Sequence, residues 1–477
     1  MDRKSERQIG FVEAFILLVA IIGIIFFNAM VLKIGTGLSV LSVAMVIGVY
    51  SMLILRIPWD ESLEEILKVF QVGMGAVLIL MMVGIIGASW TVSGTTPMLI
   101  YYGLELISPG VFLVVAFLLC CLLGIATGSA WAIIGSVGLA LMGVGKGLGI
   151  PVAPAAAAIA MGSYIGDMWS PFSDVPNLNA ASTTGTSFDV FKAMIPTMVP
   201  ALLISVIVYG VLGAGYSTGD SFDKTAVLEI QAALSGVYNW NILLLLPPLI
   251  VIVGAVLKYP TIPVLTLSGL VAVLEGVIFQ GKEFAASFNT LYVGTVSETG
   301  NEAIDALLTG GGLLNMMSLI LIIFCAFIFA GILERSGIIK VLLGNLSQKV
   351  RNRGVIVAAS LFTSILSVYL TASVYVATII NARIWNDVYL DNDMSGLNLA
   401  KTMAGGMSNW GMIVPWSGGV AVMINTFGVD WYEYAPYLIT TWAVIVLTLI
   451  YGFTNRFILA PTELEKEKLQ EKKNQEA

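Results

Sequence analysis

Between Gly162 and Asn177 the chain gathers two carboxylates, two prolines, three serines and an asparagine inside otherwise apolar sequence: Gly162-Ser163-Tyr164-Ile165-Gly166-Asp167-Met168-Trp169-Ser170-Pro171-Phe172-Ser173-Asp174-Val175-Pro176-Asn177. Proline removes a backbone donor and collides with the preceding turn, so Pro171 and Pro176 are expected to unwind a helix here. The freed carbonyls, with the oxygens of Ser170, Ser173 and Asn177, form a donor set suited to replace the water shell of Na⁺. Asp167 and Asp174 supply the negative charge. An unpaired carboxylate at bilayer centre costs at least a few kcal/mol, so it is expected to be protonated or to hold a cation. A carboxylate alternating between those states couples Na⁺ to H⁺ by competition. The alternative is an ordinary loop at the membrane surface, where the carboxylates cost nothing.

The same phrasing occurs twice at a constant spacing. Thr127-Gly128-Ser129-Ala130-Trp131 returns as Thr371-Ala372-Ser373-Val374-Tyr375, and Ser170-Pro171-Phe172-Ser173-Asp174 as Val414-Pro415-Trp416-Ser417-Gly418. Each pair stands 244 residues apart, as do Gly87 and Gly331. A gapless copy at half the length of a 477-residue chain points to duplication, and polar phrases in apolar repeats point to the binding site of a secondary transporter. Asp167 and Asp174 become Gly411 and Gly418 in the second copy. The ion site is therefore expected in the first, with Thr127 and Ser129 completing it. Thr371, Ser373, Tyr375, Asn409, Trp410, Trp416 and Ser417, with Trp169 from the first copy, are candidates for lining a pocket for a larger solute. Trp and Tyr also belong to interfacial belts, which accounts equally for some of them. Arg383 would either grip an organic carboxylate bidentately or pair with Asp387 one turn later.

The elements that position these residues are membrane helices. Hydrophobic residues make up 58% of the chain and charged residues 11%, against roughly 25% charged in soluble domains. A span needs about twenty apolar residues. Candidates are 11–32, 36–56, 71–89, 112–126, 130–145, 153–168 and 190–216, then 240–257, 261–280, 312–333, 354–370, 374–389, 401–428 and 435–457. The pairs 112–145 and 354–389 are either two spans each or re-entrant hairpins, with tips at 127–129 and 371–373. Residues 60–70 have the pattern of an amphipathic interfacial helix. Glu275 is expected near a helix end, snorkelling or paired; Glu334 and Arg335 would anchor theirs. The acidic stretch 281–311 reads as a solvated external loop.

Arg3, Lys4 and Arg7 place the N-terminus in the cytoplasm. The loop 90–110 has no Lys or Arg, whereas its counterpart 334–354 has Arg335, Lys340, Lys349, Arg351 and Arg353. Copies of one loop on opposite sides favour inverted repeats, the arrangement that gives alternating access, over parallel ones. The expected fold class is thus an all-α polytopic membrane protein of two inverted-topology repeats with re-entrant hairpins and discontinuous helices. Its expected divisions are scaffold helices 1–70, repeat one 71–216, an external linker 217–238, scaffold and external loop 239–311, repeat two 312–457, and a charged cytoplasmic tail 458–477.

Gly166-Asp167-Met168-Trp169-Ser170-Pro171-Phe172-Ser173-Asp174, Gly128-Ser129-Ala130-Trp131, and Val414-Pro415-Trp416 after Asn409-Trp410 resemble, in order and across most of 70–430, the NhaC-type Na⁺/H⁺ antiporters. One departure is Val175-Pro176-Asn177, where that family carries a Thr-Thr-Asn-like run. The resemblance implies Na⁺/H⁺ exchange across a bacterial inner membrane, or exchange of a small organic anion or amino acid as in malate/lactate antiporter members. It also implies a dimeric scaffold carrying a moving unit of 110–190 and 354–430.

The chain has no histidine, so carboxylates are the expected proton carriers. Cys120, Cys121 and Cys325 lie in apolar runs without metal or disulfide spacing. No Walker A, Rossmann, nucleophile-elbow or metal-binding His motif is present. The expectation is a transporter that uses no cofactor and binds no nucleic acid, rather than an enzyme or an ATP-driven pump. A channel is the third class, less favoured by discontinuous repeats.

Overall fold

The computed structural model describes residues 7–32, 34, 36–127, 130–170, 173–183, 185–217, 224–257, 259–297, 305, 308–338, 341–342, 351–371, 373–467 and 469. Among them the chain is built of helices, with one isolated β-bridge between Thr295 and Gly310. The first half comprises α1 (Phe11–Met30), α2 (Thr36–Leu53), α3 (Trp59–Ser93), α4 (Thr95–Leu106), α5 (Pro109–Thr127), α6 (Ala130–Ile133), a π-helical segment (Ile134–Gly138), α7 (Leu139–Gly147), α8 (Val152–Met168), α9 (Asp174–Ser182) and α10 (Ser187–Ser217). Then follow α11 (Lys224–Val237), a 3₁₀ turn (Ile242–Leu245), α12 (Leu246–Val256), α13 (Thr261–Gln280), α14 (Phe284–Val293) and α15 (Leu313–Arg335). The chain closes with α16 (Arg353–Thr371), α17 (Val374–Asp391), α18 (Gly396–Trp410), α19 (Gly418–Phe427), α20 (Trp431–Tyr434) and α21 (Ile439–Thr454).

Four described helices are long and apolar enough to cross a membrane alone: Ser187–Tyr216, Ile262–Gln280, Leu313–Arg335 and Arg353–Thr371. Three further helix pairs qualify together but bend sharply at their joints. Large apolar side chains such as Ile278, Val211 and Ile207 face outward. In water such a surface would be a liability; against lipid it is the complementary face.

The helix boundaries recur at the sequence spacing. Helices begin at Pro109 and Arg353, Ala130 and Val374, Val152 and Gly396, Asp174 and Gly418, and Ser187 and Trp431; they end at Thr127 and Thr371. Every pair lies 244 positions apart. The two copies differ where α6–α7 carries a π-helical segment that α17 lacks. Such insertions often mark functional positions.

Three expectations change. Residues 60–70 are not a separate interfacial helix: they continue into the span as α3, which at 35 residues is about 50 Å long. The 70/71 division therefore falls inside one helix. Its N-terminal turns are fixed by an ion pair between Glu61 and Arg335 at the end of α15. The 90–110 loop is mostly helix, with α3 and α4 meeting at a 75° bend. Gly94 sits there with φ of 90°, a conformation that glycine adopts without strain. The 281–311 stretch contains α14, which packs on α3 and α15.

The tightest helix pair is α5 against α8. A Cβ on Gly162 would lie 2.3 Å from the Phe117 carbonyl, and one on Gly166 2.4 Å from the Cys121 carbonyl. Small residues let membrane helices approach to backbone contact. Here they lock α8, which carries Asp167, onto the first hairpin.

Candidate functional site

The first break follows Met168. Ser170 Oγ donates to the Ile125 carbonyl at 2.8 Å, and the Trp169 indole donates to the Phe191 carbonyl at 3.2 Å while stacking on that ring. Ser173 caps α9, accepting from the Val175 amide at 3.4 Å. Asn177 Nδ2 donates to the Ser173 carbonyl at 2.7 Å, and Asn177 Oδ1 accepts from the Ser187 hydroxyl. Asp167 lies half-buried on the last turn of α8. Asp174 opens α9, where the helix dipole favours negative charge; Thr127 closes α5. Ser129, Pro171 and Phe172 lie outside the described residues.

The second break is built alike. Ser417 caps α19, accepting from the Val420 amide at 3.2 Å, and its hydroxyl donates to the Gly411 carbonyl. The Trp416 indole donates to the Tyr369 carbonyl at 2.9 Å, and the Tyr434 hydroxyl to that of Met412 at 2.6 Å. At the hairpin tip, Thr371 Oγ1 donates to the Ser367 carbonyl at 2.8 Å, and Ser373 caps α17. These hydroxyls shape the tip. Asn409 Oδ1 and Trp410 Nε1 are buried, and neither has a hydrogen-bond partner among the described residues.

The breaks meet around Tyr164, a buried residue that the sequence pattern does not single out. Trp131 packs edge-on to its ring at 5.8 Å. A Cβ on Gly419 would stand 3.2 Å from its hydroxyl and 2.3 Å from the Gly411 carbonyl. Tyr164 of the first copy, one turn before Asp167, thus meets Gly419 of the second beside the Gly411 carbonyl. The signal that could have found Tyr164 is its position one turn before Asp167.

Arg383 lies elsewhere, about 12 Å along α17 from Tyr375. It lines a cavity of about 280 Å³ with Ser182, Ile379, Ala382, Asn386 and Asp387. This cavity lies between α9 and α17, which are tied by a hydrogen bond from Thr378 Oγ1 to Asn179 Oδ1 at 3.0 Å. Buried Asn179 Nδ2 and Asn386 Oδ1 have no hydrogen-bond partner among the described residues. No group of three or more metal-ligating side chains occurs among the described residues.

Membrane helices interrupted at a shared polar centre define a multi-pass membrane transporter. Residues 162–456 match the Na⁺/H⁺ antiporter family, and the chain belongs to that family. It is 32% identical over 457 residues to the Na⁺/H⁺ antiporter NhaC of Alkalihalophilus pseudofirmus, covering 95% of this chain and 96% of that one. It is 33% identical to the malate-2H⁺/Na⁺-lactate antiporter of Bacillus subtilis (81% and 82% covered). It is also 33% identical to the arginine/ornithine antiporter ArcD of Halobacterium salinarum (83% and 82%).

Proposed function

We propose that this protein is a secondary active Na⁺/H⁺ antiporter in a bacterial inner membrane. Its two halves have inverted topology, both termini face the cytoplasm, and it works as a homodimer without a cofactor. The observation that carries the exchange is the meeting of two broken helices at Tyr164, with Asp167 as the carboxylate at that meeting point. In this reading Asp167 binds Na⁺ and H⁺ in turn, and Asp174 adds charge at the start of α9. Freed carbonyls, with oxygens of Ser170, Ser173, Asn177, Thr127 and Ser129, complete the ion shell. Gly411 and Gly418 in the second copy leave its side of the centre uncharged, and Gly419 packs closely on the Gly411 carbonyl. The 244-residue recurrence of helix boundaries supports two equivalent halves that exchange conformations.

The test is internal pH in proteoliposomes after an outward Na⁺ gradient is imposed with no organic solute. Prompt Na⁺-dependent acidification is expected, and its loss in Asp167→Asn with the variant still folded. Normal exchange in that variant would overturn the assignment.

A second reading is supported by the Arg383 cavity and the relatives that exchange organic acids or amino acids. There the cavity holds a small carboxylate or amino acid coupled to the same ions. Silence of the proteoliposomes until such a solute is added, together with its loss in Arg383→Gln, would favour this reading.

A further inference from the structure

Glu275 departs from the expectation of a snorkelling or paired residue near a helix end. It lies in α13 with 5% of its surface exposed, and neither carboxyl oxygen has a hydrogen-bond partner among the described residues. An intramembrane carboxyl without a partner is a functional-site hypothesis in its own right.

Among the described residues, the helices packed on α13 supply no counter-charge. α3, the main neighbour of α13, has no charged residue after Lys68. α12 has no titratable side chain, and α14 has only Tyr292, which is exposed. Lys282 and Glu283, beyond the C-cap at Gly281, are exposed. Tyr238 lies at the α3–α4 bend, where a Cβ on Gly94 would meet it at 3.1 Å and Gln280 Nε2 at 2.8 Å.

Nearby polar groups are already engaged with each other. Ser268, Ala272 and Glu275 share one face of α13 by spacing. Ser268 Oγ accepts from the Trp90 indole at 3.0 Å and donates to the Pro247 carbonyl at 2.8 Å. Gln280 Nε2 donates to the Ser93 carbonyl at 2.9 Å, and Thr95 Oγ1 to that of Leu244 at 3.0 Å. An isolated ion in such a place is far more costly than the neutral acid.

We infer that Glu275 is a proton-binding site separate from the Asp167 centre, and that its neutral form is the one compatible with the packing of α13 on α3. It exchanges that proton with bulk water, and ionisation loosens the helix contact. The folded protein then holds a proton that the unfolded chain releases, so this site lowers stability as pH rises.

The test uses the full-length protein and infrared spectroscopy. At neutral pH a carboxylic C=O band sensitive to deuterium exchange is expected, retained in Asp167→Asn and lost in both Glu275→Gln and Glu275→Leu. Melting temperature is expected to fall with rising pH more steeply in the parent protein than in Glu275→Gln. A band unaltered by both Glu275 substitutions, or parallel melting curves across pH, would overturn the inference. Because the Glu275-dependent band and melting are read without transport, whereas the antiport assignment is read as Na⁺-dependent exchange in Asp167→Asn, failure of that assignment and failure of this one give different results.

Discussion

At the residue scale, small polar side chains at both breaks shape the backbone. Ser173, Ser373 and Ser417 each cap the helix that follows. Replacing such a cap with alanine costs about 1 kcal/mol. Ser173→Ala is therefore expected to lower the melting temperature slightly and to weaken Na⁺-dependent exchange, because α9 would fray where Asp174 begins it. Transport and thermal melting of that variant check this. A firmer structural role falls to Asn381, which accepts from Thr363 Oγ1 and donates to Ser367 Oγ, both at 2.8 Å, while the Trp385 indole donates to the same Thr363. Asn381→Leu removes both bonds between α16 and α17, leaving Thr363 and Ser367 their hydrogen bonds to the Ser360 and Thr363 carbonyls, at a cost of about 0.5–1.5 kcal/mol for each bond lost. It is expected to destabilise the second hairpin, measured by melting in detergent.

At the element scale, the α5–α8 contact positions the carboxylate. Gly162 and Gly166 approach α5 to backbone distance, and Gly124 reciprocates: a Cβ there would lie 2.7 Å from Gly166 Cα. Gly166→Ala places its methyl against a carbonyl that cannot rotate away. Overpacking of this kind costs about 1–3 kcal/mol. The expected outcome is a lower melting temperature and reduced exchange, although no charge has been altered; unchanged melting would refute the close-packing account.

At the scale of the whole molecule, the proposed alternating access requires a unit containing α7 to move past α4, which lies outside it. These helices touch closely: a Cβ on Gly103 would lie 3.5 Å from the Val144 Cβ, within the range for a disulfide. In a background without the three native cysteines, oxidation of Gly103→Cys/Val144→Cys is expected to arrest exchange and reduction to restore it. A bridge between Ser205→Cys and Thr440→Cys, whose parent hydroxyls are 2.6 Å apart, joins α10 to α21 and is expected to leave exchange intact. Persistent exchange with the first bridge closed would place α4 and α7 in one rigid body.

The sequence by itself determined the membrane class, because apolar run length is a local property that lipid reads directly. It also determined the 244-residue recurrence and with it the helix ends at Thr127 and Thr371, whereas the first break is shorter than expected: Pro176 lies in the first turn of α9, where its missing N–H has no partner to lose, and does not unwind it. Only the tertiary structure decided what the breaks enclose. Tyr164 became central because its hydroxyl meets Gly419 of α19, Arg383 was set apart in a cavity between α9 and α17, and Glu275 was buried with no hydrogen-bond partner among the described residues. Those outcomes depend on which helix faces meet, and contacts between residues hundreds of positions apart leave no mark on local composition or spacing.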